Sequence, residues 1–440
     1  MRRIIEGAQR ATQVDLEAWE MGIRTSVLAA GAKALTPLVN SVGAGRRDEP
    51  VTCTCAARME SKGQRPKDLL TILGDVPYSR AMYVCGNCGS VRYPADEELD
   101  VVETTRSPGV RRLMARAGNN GTFKEGAKDL DVYAEIKVSA KDVERVAEKI
   151  GQDTERWAAE EREQIWALEE PAGQKKSIPM FYILYDGTGV PMVKKELKGR
   201  KGKQADGTAL TREAKLGCVF TQTTTDEKGR PIRDPDSTSF VGAIETSEQF
   251  GPRIYAEAVR RGLWEAERVV VLGDGAEWIW NVASEHFHGA TQIIDLYHAK
   301  EHVSDLCKIL FRPDEKAVQK YRKRWWSFLK QGKIASITKQ ACEFLPQPSE
   351  ALEKAEKQIA YLEKNAERMR YLKFRKQGLF VGSGVVEAGC KSVIGQRLKR
   401  SGMEWSLPGA NAIISLRCTT VSNRFDDYWE DRAASAPPLS

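Results

Sequence analysis

The sequence lacks the long apolar runs that mark membrane-spanning helices and secretion signals. No window approaches the roughly 18 uncharged apolar residues that a span requires. The apolar stretch through Val27 and Leu28 is interrupted by Glu17, Glu20 and Arg24. The pattern therefore predicts neither a span nor a signal peptide, and we expect a cytoplasmic or nucleoid-associated protein. There is no internal repeat.

Charge of one sign is also scarce. Lys and Arg total 68 against 61 Asp and Glu, which leaves a formal net charge of +7. An excess this small permits a polyanionic partner without requiring one. The 440 residues are enough for roughly two to four domains with a sizeable core.

Cysteine is sparse and odd in number, unlike a secreted disulfide framework. Of the nine cysteines, four form a C-x-C and a C-x2-C pair and five are scattered singly. Four thiolates suit tetrahedral zinc, and the alternative is a set of unrelated buried cysteines. A segment with so little core needs a metal to fold, and it would serve DNA binding or protein contact. The predicted zinc ligands are Cys53, Cys55, Cys85 and Cys88.

Helical patterns flank the cysteine-bearing stretch. Apolar positions from Met1 to about Leu38 predict one or two amphipathic helices. The charged region 104–170 is also helical in pattern. Within it, a helix over 123–132 and a second one beginning at Ala140, with Ser139 as its N-cap, would form either a helix-turn-helix or two ordinary packed helices.

Strand patterns begin near residue 177. Three strands, a helix, then strand, helix, strand is the order of a mixed α/β layer fold. The strands are predicted over residues 178–185, 216–223, 238–244, 269–272 and 291–296, and the first helix over 248–262. Helical patterns then occupy 299–377 and 385–399. The Ala, Ser and Pro-rich tail at 433–440 is predicted to be disordered.

Three carboxylates stand out in this α/β region. Asp186 is predicted at or just inside the C-terminal part of the first strand, and Asp274 ends the fourth. A lone Asp-Gly is more often a turn, but a charge directly after an apolar strand is otherwise out of place. Glu387 borders an apolar helix stripe, with pairing to Lys391 as the alternative. Two strand carboxylates followed by a helix Glu is the order of a two-metal phosphoryl-transfer site that uses Mg²⁺ or Mn²⁺.

Basic and aromatic residues near these carboxylates are candidates for DNA contacts. In the loop after the first strand a solvated hairpin is the alternative. For the four histidines, between His286 and His302, we weigh a second zinc site, a phosphate contact from His298 and a core role. Trp405 would stack on a base or lie in the core. The predicted DNA-binding residues are Lys198, Arg200, Lys201, Arg212, Lys215, His298, Lys391, Arg397, Lys399, Arg400 and Trp405.

Taken together, these residues resemble the DDE transposases of bacterial insertion sequences, specifically the Kra-type branch, which is similar in appearance to the Mutator-like group. The resemblance covers most of the chain from Cys53 to Cys418. The matching motifs are Cys53-x-Cys55, Cys85-x2-Cys88, Asp186-Gly187-Thr188-Gly189, Thr211-Arg212-Glu213-Ala214-Lys215-Leu216-Gly217, Gly273-Asp274-Gly275-Ala276-x-Trp278-Ile279, Asp295-Leu296-Tyr297-His298, Gly382-Ser383-Gly384-x2-Glu387 and Gly402-Met403-x-Trp405.

The resemblance implies an RNase-H-like catalytic domain with a helical insertion before its last helix, and Asp186, Asp274 and Glu387 as catalytic metal ligands. The expected organisation is N-terminal helices over 1–45, a zinc-ribbon-like domain over 46–100, a helical region with a candidate helix-turn-helix over 101–175, the catalytic domain over 176–298 and 378–420, the insertion over 299–377 and a tail over 421–440.

The implied function is a transposase that binds the terminal inverted repeats of an insertion sequence, cleaves double-stranded DNA and joins it to target DNA. Because two ends must be held together, we expect a homo-oligomer on DNA. One alternative is a zinc-dependent DNA-binding regulator whose RNase-H-like domain is inactive. The other is a two-metal nuclease or resolvase without joining activity.

Overall fold

A computed structural model describes residues 15–42, 50–170, 176–202, 204 and 207–434. The chain divides into two units, Met1–Ile150 with Asp426–Ser440, and Gly151–Phe425. The predictions made for residues 1–14, for the linker at 43–49 and for the tail at 435–440 lie outside the described residues. In the described part, no helix combines the length and the apolar character needed to cross a membrane.

The first unit contains a small antiparallel sheet. Helix α1 spans Leu16–Ser41, and strands β1 (Met59–Thr71), β2 (Gly74–Cys85) and β3 (Val91–Arg92) pair in the order β1-β2-β3. The two long strands form the β layer that the sequence predicts around the cysteines. Buried residues from α1 and both strands form one small apolar cluster, which includes Val76. The sheet is therefore stabilised on one side by α1 and, at its end, by whatever holds the cysteine loops.

Four helices complete the described part of this unit: α2 (Pro94–Glu98), α3 (Pro108–Asn120), α4 (Phe123–Ala134) and α5, which begins at Ala140 and ends at Trp166. The Ser139 hydroxyl accepts a hydrogen bond from the Asp142 N–H at 3.1 Å, so the predicted N-cap is confirmed. Apolar residues of α3, α4 and α5 share one buried cluster. The helices are therefore present as predicted, and a DNA-binding role for them remains a prediction.

A five-stranded mixed sheet is the centre of the second unit. The strands are β4 (Ile178–Pro191), β5 (Thr211–Gln222), β8 (Ser239–Ala243), β9 (Ala266–Gly273) and β10 (Thr291–Ile294), with a two-stranded ribbon of β6 (Thr224–Thr225) and β7 (Pro231–Ile232) beside them. Their order across the sheet is β10-β9-β4-β5-β8. Strands β5 and β8 run antiparallel to their neighbours, whereas β9 and β10 are parallel to β4. The predicted mixed α/β layer fold is confirmed.

The helices follow in chain order. They are α6 (Ser247–Arg260), α7 (Glu277–His286), α8 (Leu296–Phe311), α9 (Glu315–Gln331), α10 (Ile334–Cys342), α11 (Glu350–Lys364), α12 (Tyr371–Lys376), α13 (Gly384–Gly389), α14 (Gln396–Leu398), α15 (Leu407–Val421) and α16 (Phe425–Ala434). The block α8–α12 shares one apolar core with the sheet, since Trp325, Leu362 and Tyr371 are buried in the same cluster as Tyr185. The helical block is therefore held rigidly against β10 and β9.

Helix α15 has no helical period in its sequence and was not predicted. Ten of its residues are buried. A helix enclosed on all sides carries apolar residues around its whole circumference, so the amphipathic signal disappears. Helix α16 likewise occupies part of the region that was expected to be a tail.

Candidate active site and metal-binding cluster

Strand register brings Asp186 and Asp274 together. Strands β4 and β9 are parallel, and Leu184 is paired with Leu272, so the residues two positions further along each strand lie side by side on one face. Asp274 follows the last residue of β9, as predicted. Asp186, by contrast, lies within its strand, because pairing with β5 continues to Pro191. The first carboxylate is thus held by a ladder on both sides.

The third carboxylate, Glu387, is carried by α13. Its Oε1 accepts a hydrogen bond from the Ser383 hydroxyl at 2.7 Å, one turn earlier. The side chain is exposed, and no ion pair with Lys391 is present among the described residues. The helix presents Glu387 toward the two strand carboxylates.

Asp295, which the sequence placed in a motif but not in the site, connects these elements. It is 1% exposed and follows β10 directly. Its Oδ1 accepts from the His298 N–H at 2.7 Å and its Oδ2 from the Ser383 N–H at 2.5 Å. Both oxygens are therefore occupied, and Asp295 fixes the segment before α13 to the start of α8. An acidic residue between an apolar strand and a helix is the signal that could have identified it.

The carboxylates meet in a cavity of about 260 Å³. Its acidic lining residues are Asp186, Asp274, Asp295, Glu301 and Glu387, and the described part of the chain contributes no lysine or arginine to the wall. Burial raises the pKa of the Asp186 carboxyl, and the negative charge of Asp274, with a smaller effect from Glu387, raises it further. The site is thus a concentration of negative charge without a neutralising cation from its own wall.

The three predicted carboxylates each keep an oxygen available. Asp186 and Asp274 use Oδ1 to accept from the N–H groups of Gly187 at 2.7 Å and Ala276 at 2.9 Å. The Oδ2 of Asp186 has only the Cys390 thiol near it, at 3.7 Å. Within the described residues, the second oxygens of Asp274 and Glu387 accept no hydrogen bond. One oxygen thus anchors each side chain while the other faces the cavity, as a metal-ligating carboxylate requires.

Two histidines adjoin the cavity on α8. His298 lines it, and its Nε2 lies 3.1 Å from the Nε2 of His302. His302 also contacts Gln358 Oε1 through Nδ1 at 2.7 Å and stacks on Tyr361 with 3.8 Å between ring centroids. Burial lowers the pKa of His302. In the described residues no third ligand completes a site with this pair, so a histidine zinc site finds no support.

A turn of π-helix follows Glu387 directly, over Cys390–Gly395. The wider turn re-aims the side chains after it and is frequent at functional sites. Nothing in the spacing of apolar residues predicts this turn.

Close packing of α13 on the sheet depends on Gly389. A Cβ there would lie 2.4 Å from Phe240 Cε1, so Gly389→Ala is expected to push α13 away and lower the free energy of unfolding by about 1–3 kcal/mol. Gly384→Ala on the same helix is the matched control, because nothing lies within 4 Å of its added Cβ. Urea unfolding measures both. Equal stability of the two variants would contradict the packing argument.

The four predicted zinc ligands converge in the first unit. The Sγ atoms of Cys53, Cys55, Cys85 and Cys88 all lie within 4.8 Å of one another, and among the described residues no other group of three or more candidate ligands does so. Cys53 Sγ is 3.4 Å from Cys88 Sγ, and Cys55 Sγ is 3.5 Å from Cys85 Sγ. The clustering is confirmed: these four thiols could hold a metal ion such as zinc.

Local structure explains this convergence. A short turn closes when the Cys53 N–H donates to the Ala57 carbonyl at 2.9 Å, and a second turn closes when the Gly89 N–H donates to the Cys85 carbonyl at 3.0 Å. The register Met59 to Cys85 places the two turns at the same end of the hairpin. Hydrogen bonding from the Cys55 N–H lowers the pKa of the Cys53 thiol to about 6. A thiolate stabilised in this way is the form that binds a metal.

The predicted DNA-binding residues fall into two groups. Three are buried: Lys215, which pairs with Glu213 at 2.7 Å, and Arg397, whose guanidinium lies over the ring of the third, Trp405, at 5.0 Å. These side chains stabilise the fold and present little surface to a ligand. Arg212 and His298 are half-buried. The exposed members are Lys198, Arg200, Lys201, Lys391, Lys399 and Arg400.

Comparisons with known proteins give limited similarity. No protein-family model matches the chain. A UPF0236 protein of Caldanaerobacter subterraneus subsp. tengcongensis is 25% identical over 368 residues, which cover 80% of this chain and 67% of that protein, and its name joins eleven loci. Among solved structures, the chain is similar to the Drosophila P element transposase strand transfer complex, with 10% identity, a TM-score of 0.23 and coverage of 78% of this chain and 85% of the other. A TM-score this low does not establish a shared fold.

Proposed function

We propose that the chain is a DNA transposase of the DDE type that cleaves the ends of an insertion sequence and joins them to target DNA. The observation that carries the proposal is the convergence of Asp186, Asp274 and Glu387 on one cavity, each with an oxygen free to bind. The sheet, with three antiparallel strands followed by two parallel ones, supports an RNase-H-like assignment for this unit.

The donor set fits a hard divalent cation. Three carboxylate oxygens, without a thiol or a neutral imidazole in ligating position, are the ligands that Mg²⁺ or Mn²⁺ prefers. Asp186, Asp274 and Glu387 would hold the metal. When bound there, such an ion would supply activation of the attacking oxygen and stabilisation of the leaving 3′ oxygen.

Other residues would orient the reactants. Asp295 holds the Ser383 N–H and the start of α8, and so keeps Glu387 at a constant distance from the strands. His298, at the cavity wall, lies within reach of a phosphate oxygen of the bound strand. The exposed lysines of the loop after β4 and the basic residues after α13 would contact the DNA backbone.

We assign recognition of the inverted repeats to the first unit, with its cysteine cluster and α3–α5, and expect a homo-oligomer when both ends are bound. The multiple loci of the similar UPF0236 protein support mobility, because an element that copies itself leaves repeated genes in one genome.

The proposal is tested by incubating purified protein with a labelled element end and a supercoiled plasmid, in Mg²⁺ and in EDTA. The expected result is joined product in Mg²⁺ only. Nicks without joined product would indicate a nuclease or resolvase. DNA binding without any cutting in Mg²⁺ or Mn²⁺ would instead indicate a regulator, and either result would contradict the proposal.

A further inference from the structure

An exposed tyrosine stands at the mouth of the acidic cavity. Tyr297 lines the cavity, yet it is 66% exposed although its neighbours Leu296 and Ala299 are buried. An aromatic ring left in solvent at the edge of a site is unusual, because burying it would be favourable. One face of the ring is covered by Lys300, whose Nζ lies 4.8 Å from the ring centroid. The exposure indicates that the ring has a surface to offer.

A cluster of cations surrounds this tyrosine. Lys300 belongs to α8, Lys330 to α9 and Arg375 to α12. Burial, and then the positive charges of Lys330 and Arg375, lower the pKa of Lys300, which places the three groups within electrostatic reach of one another. The Lys300 ammonium also lies 5.4 Å from the ring centroid of Trp326, which fixes its position.

These cations lack neutralising partners. Among the described residues no carboxylate lies within ion-pair distance of Lys300, Lys330 or Arg375, whereas Lys308 on the same helix pairs with Asp305 at 2.7 Å. The negative charge of Asp295 affects Lys300 less than the two cations do. Like charges brought together by three helices destabilise the fold unless an anion binds between them.

We propose that Tyr297, Lys300, Lys330 and Arg375 form a binding site for an unpaired DNA nucleotide beside the scissile phosphate. The base stacks on the open face of Tyr297, and the flanking phosphates contact the three cations. The nucleotide is unpaired, because a base within a duplex already has both faces stacked. This inference rests on the proposed function, and it extends the DNA path onto α8, α9 and α12.

The test compares two DNA probes with the full-length, zinc-loaded protein. One probe is a blunt duplex, and the other is a fork whose unpaired 3′ strand carries 2-aminopurine. Wild type is expected to bind the fork more tightly and to quench its fluorescence. Tyr297→Ala should weaken fork binding about tenfold and abolish the quenching, while leaving blunt-duplex binding within about twofold. Tyr297→Phe keeps the ring and should behave as wild type.

Charge is tested separately. The triple variant Lys300→Gln, Lys330→Gln, Arg375→Gln is expected to lower the slope of log affinity for the fork against log salt by about 2. Lys308→Gln, on the same helix, is the control and should leave the slope unchanged. Fork binding by Tyr297→Ala equal to wild type, or an unaltered slope for the triple variant, would overturn this site alone. Failure of wild type to bind either DNA would overturn it together with the proposed function.

Discussion

Asp274→Asn is expected to eliminate DNA joining, with a fall in rate on the order of 10³-fold or more. The substitution removes half of the negative charge that Asp274 and Asp186 together present to the cavity. A neutral amide oxygen is a weaker ligand for a hard divalent ion than a carboxylate. The measurement is the yield of joined product with time on a labelled element end.

The fold should survive this change. The introduced amide would not be buried in apolar surroundings, and its oxygen can still accept the Ala276 N–H that Asp274 Oδ1 accepts at 2.9 Å. Asp186→Asn and Glu387→Gln preserve their anchoring bonds in the same way and should be equally inactive. Binding to element-end DNA in EDTA should stay at the wild-type level for all three.

The matched control is Asp305→Asn, an exposed aspartate on α8 that pairs only with Lys308 among the described residues. It should join DNA at the wild-type rate, because exposed ion pairs contribute about 1 kcal/mol or less. If any one of the three cavity variants retained wild-type joining, its assignment as a metal ligand would be wrong.

The second large effect concerns the cysteine cluster. Purified protein is expected to contain one zinc ion per chain, and Cys85→Ser should lose it and unfold the hairpin of β1 and β2 near the cysteines. The apolar cluster there consists of six buried residues, which include Cys53 and Cys85 themselves. So small a core cannot keep two loops closed, whereas structural zinc binding contributes on the order of 10 kcal/mol.

Zinc content by elemental analysis and thermal unfolding by circular dichroism measure this effect. Cys342→Ser is the control, because Cys342 is an exposed free thiol in the other unit. It should keep both the zinc and the unfolding temperature. Metal-free wild type with an unchanged unfolding temperature and four reactive thiols would rule out a structural metal.

The elements whose residues alternate or repeat at a clear period could be predicted. Strands β4, β9 and β10 are short apolar runs, and the block α8–α12 has amphipathic spacing, so local pattern was sufficient for both. The cysteine pairs were also predictable, because few arrangements other than a metal site bring two close pairs of thiols into one small segment. Helix α15 escaped, since burial on all sides removes the period on which such predictions depend.

The contents of the site divide in the same way. Sequence order alone indicated Asp186, Asp274 and Glu387, because acidic residues beside apolar strands are rare without a reason. Their distances, the closure of both Asp295 oxygens and the available second oxygens depend on register and on the packing of α13 through Gly389. These are contacts between residues distant in the chain, which no local pattern records.

Charge shows the difference most clearly. Lys215 and Arg397 are as basic in sequence as Lys198 or Lys391, yet the first two are buried and the last two are exposed. Composition determined that this chain carries many cations, and motif order determined the candidate carboxylates. Only the tertiary structure decided which cations face solvent and which cluster beside Tyr297, because exposure is a property of packing between distant segments and not of a residue's own chemistry.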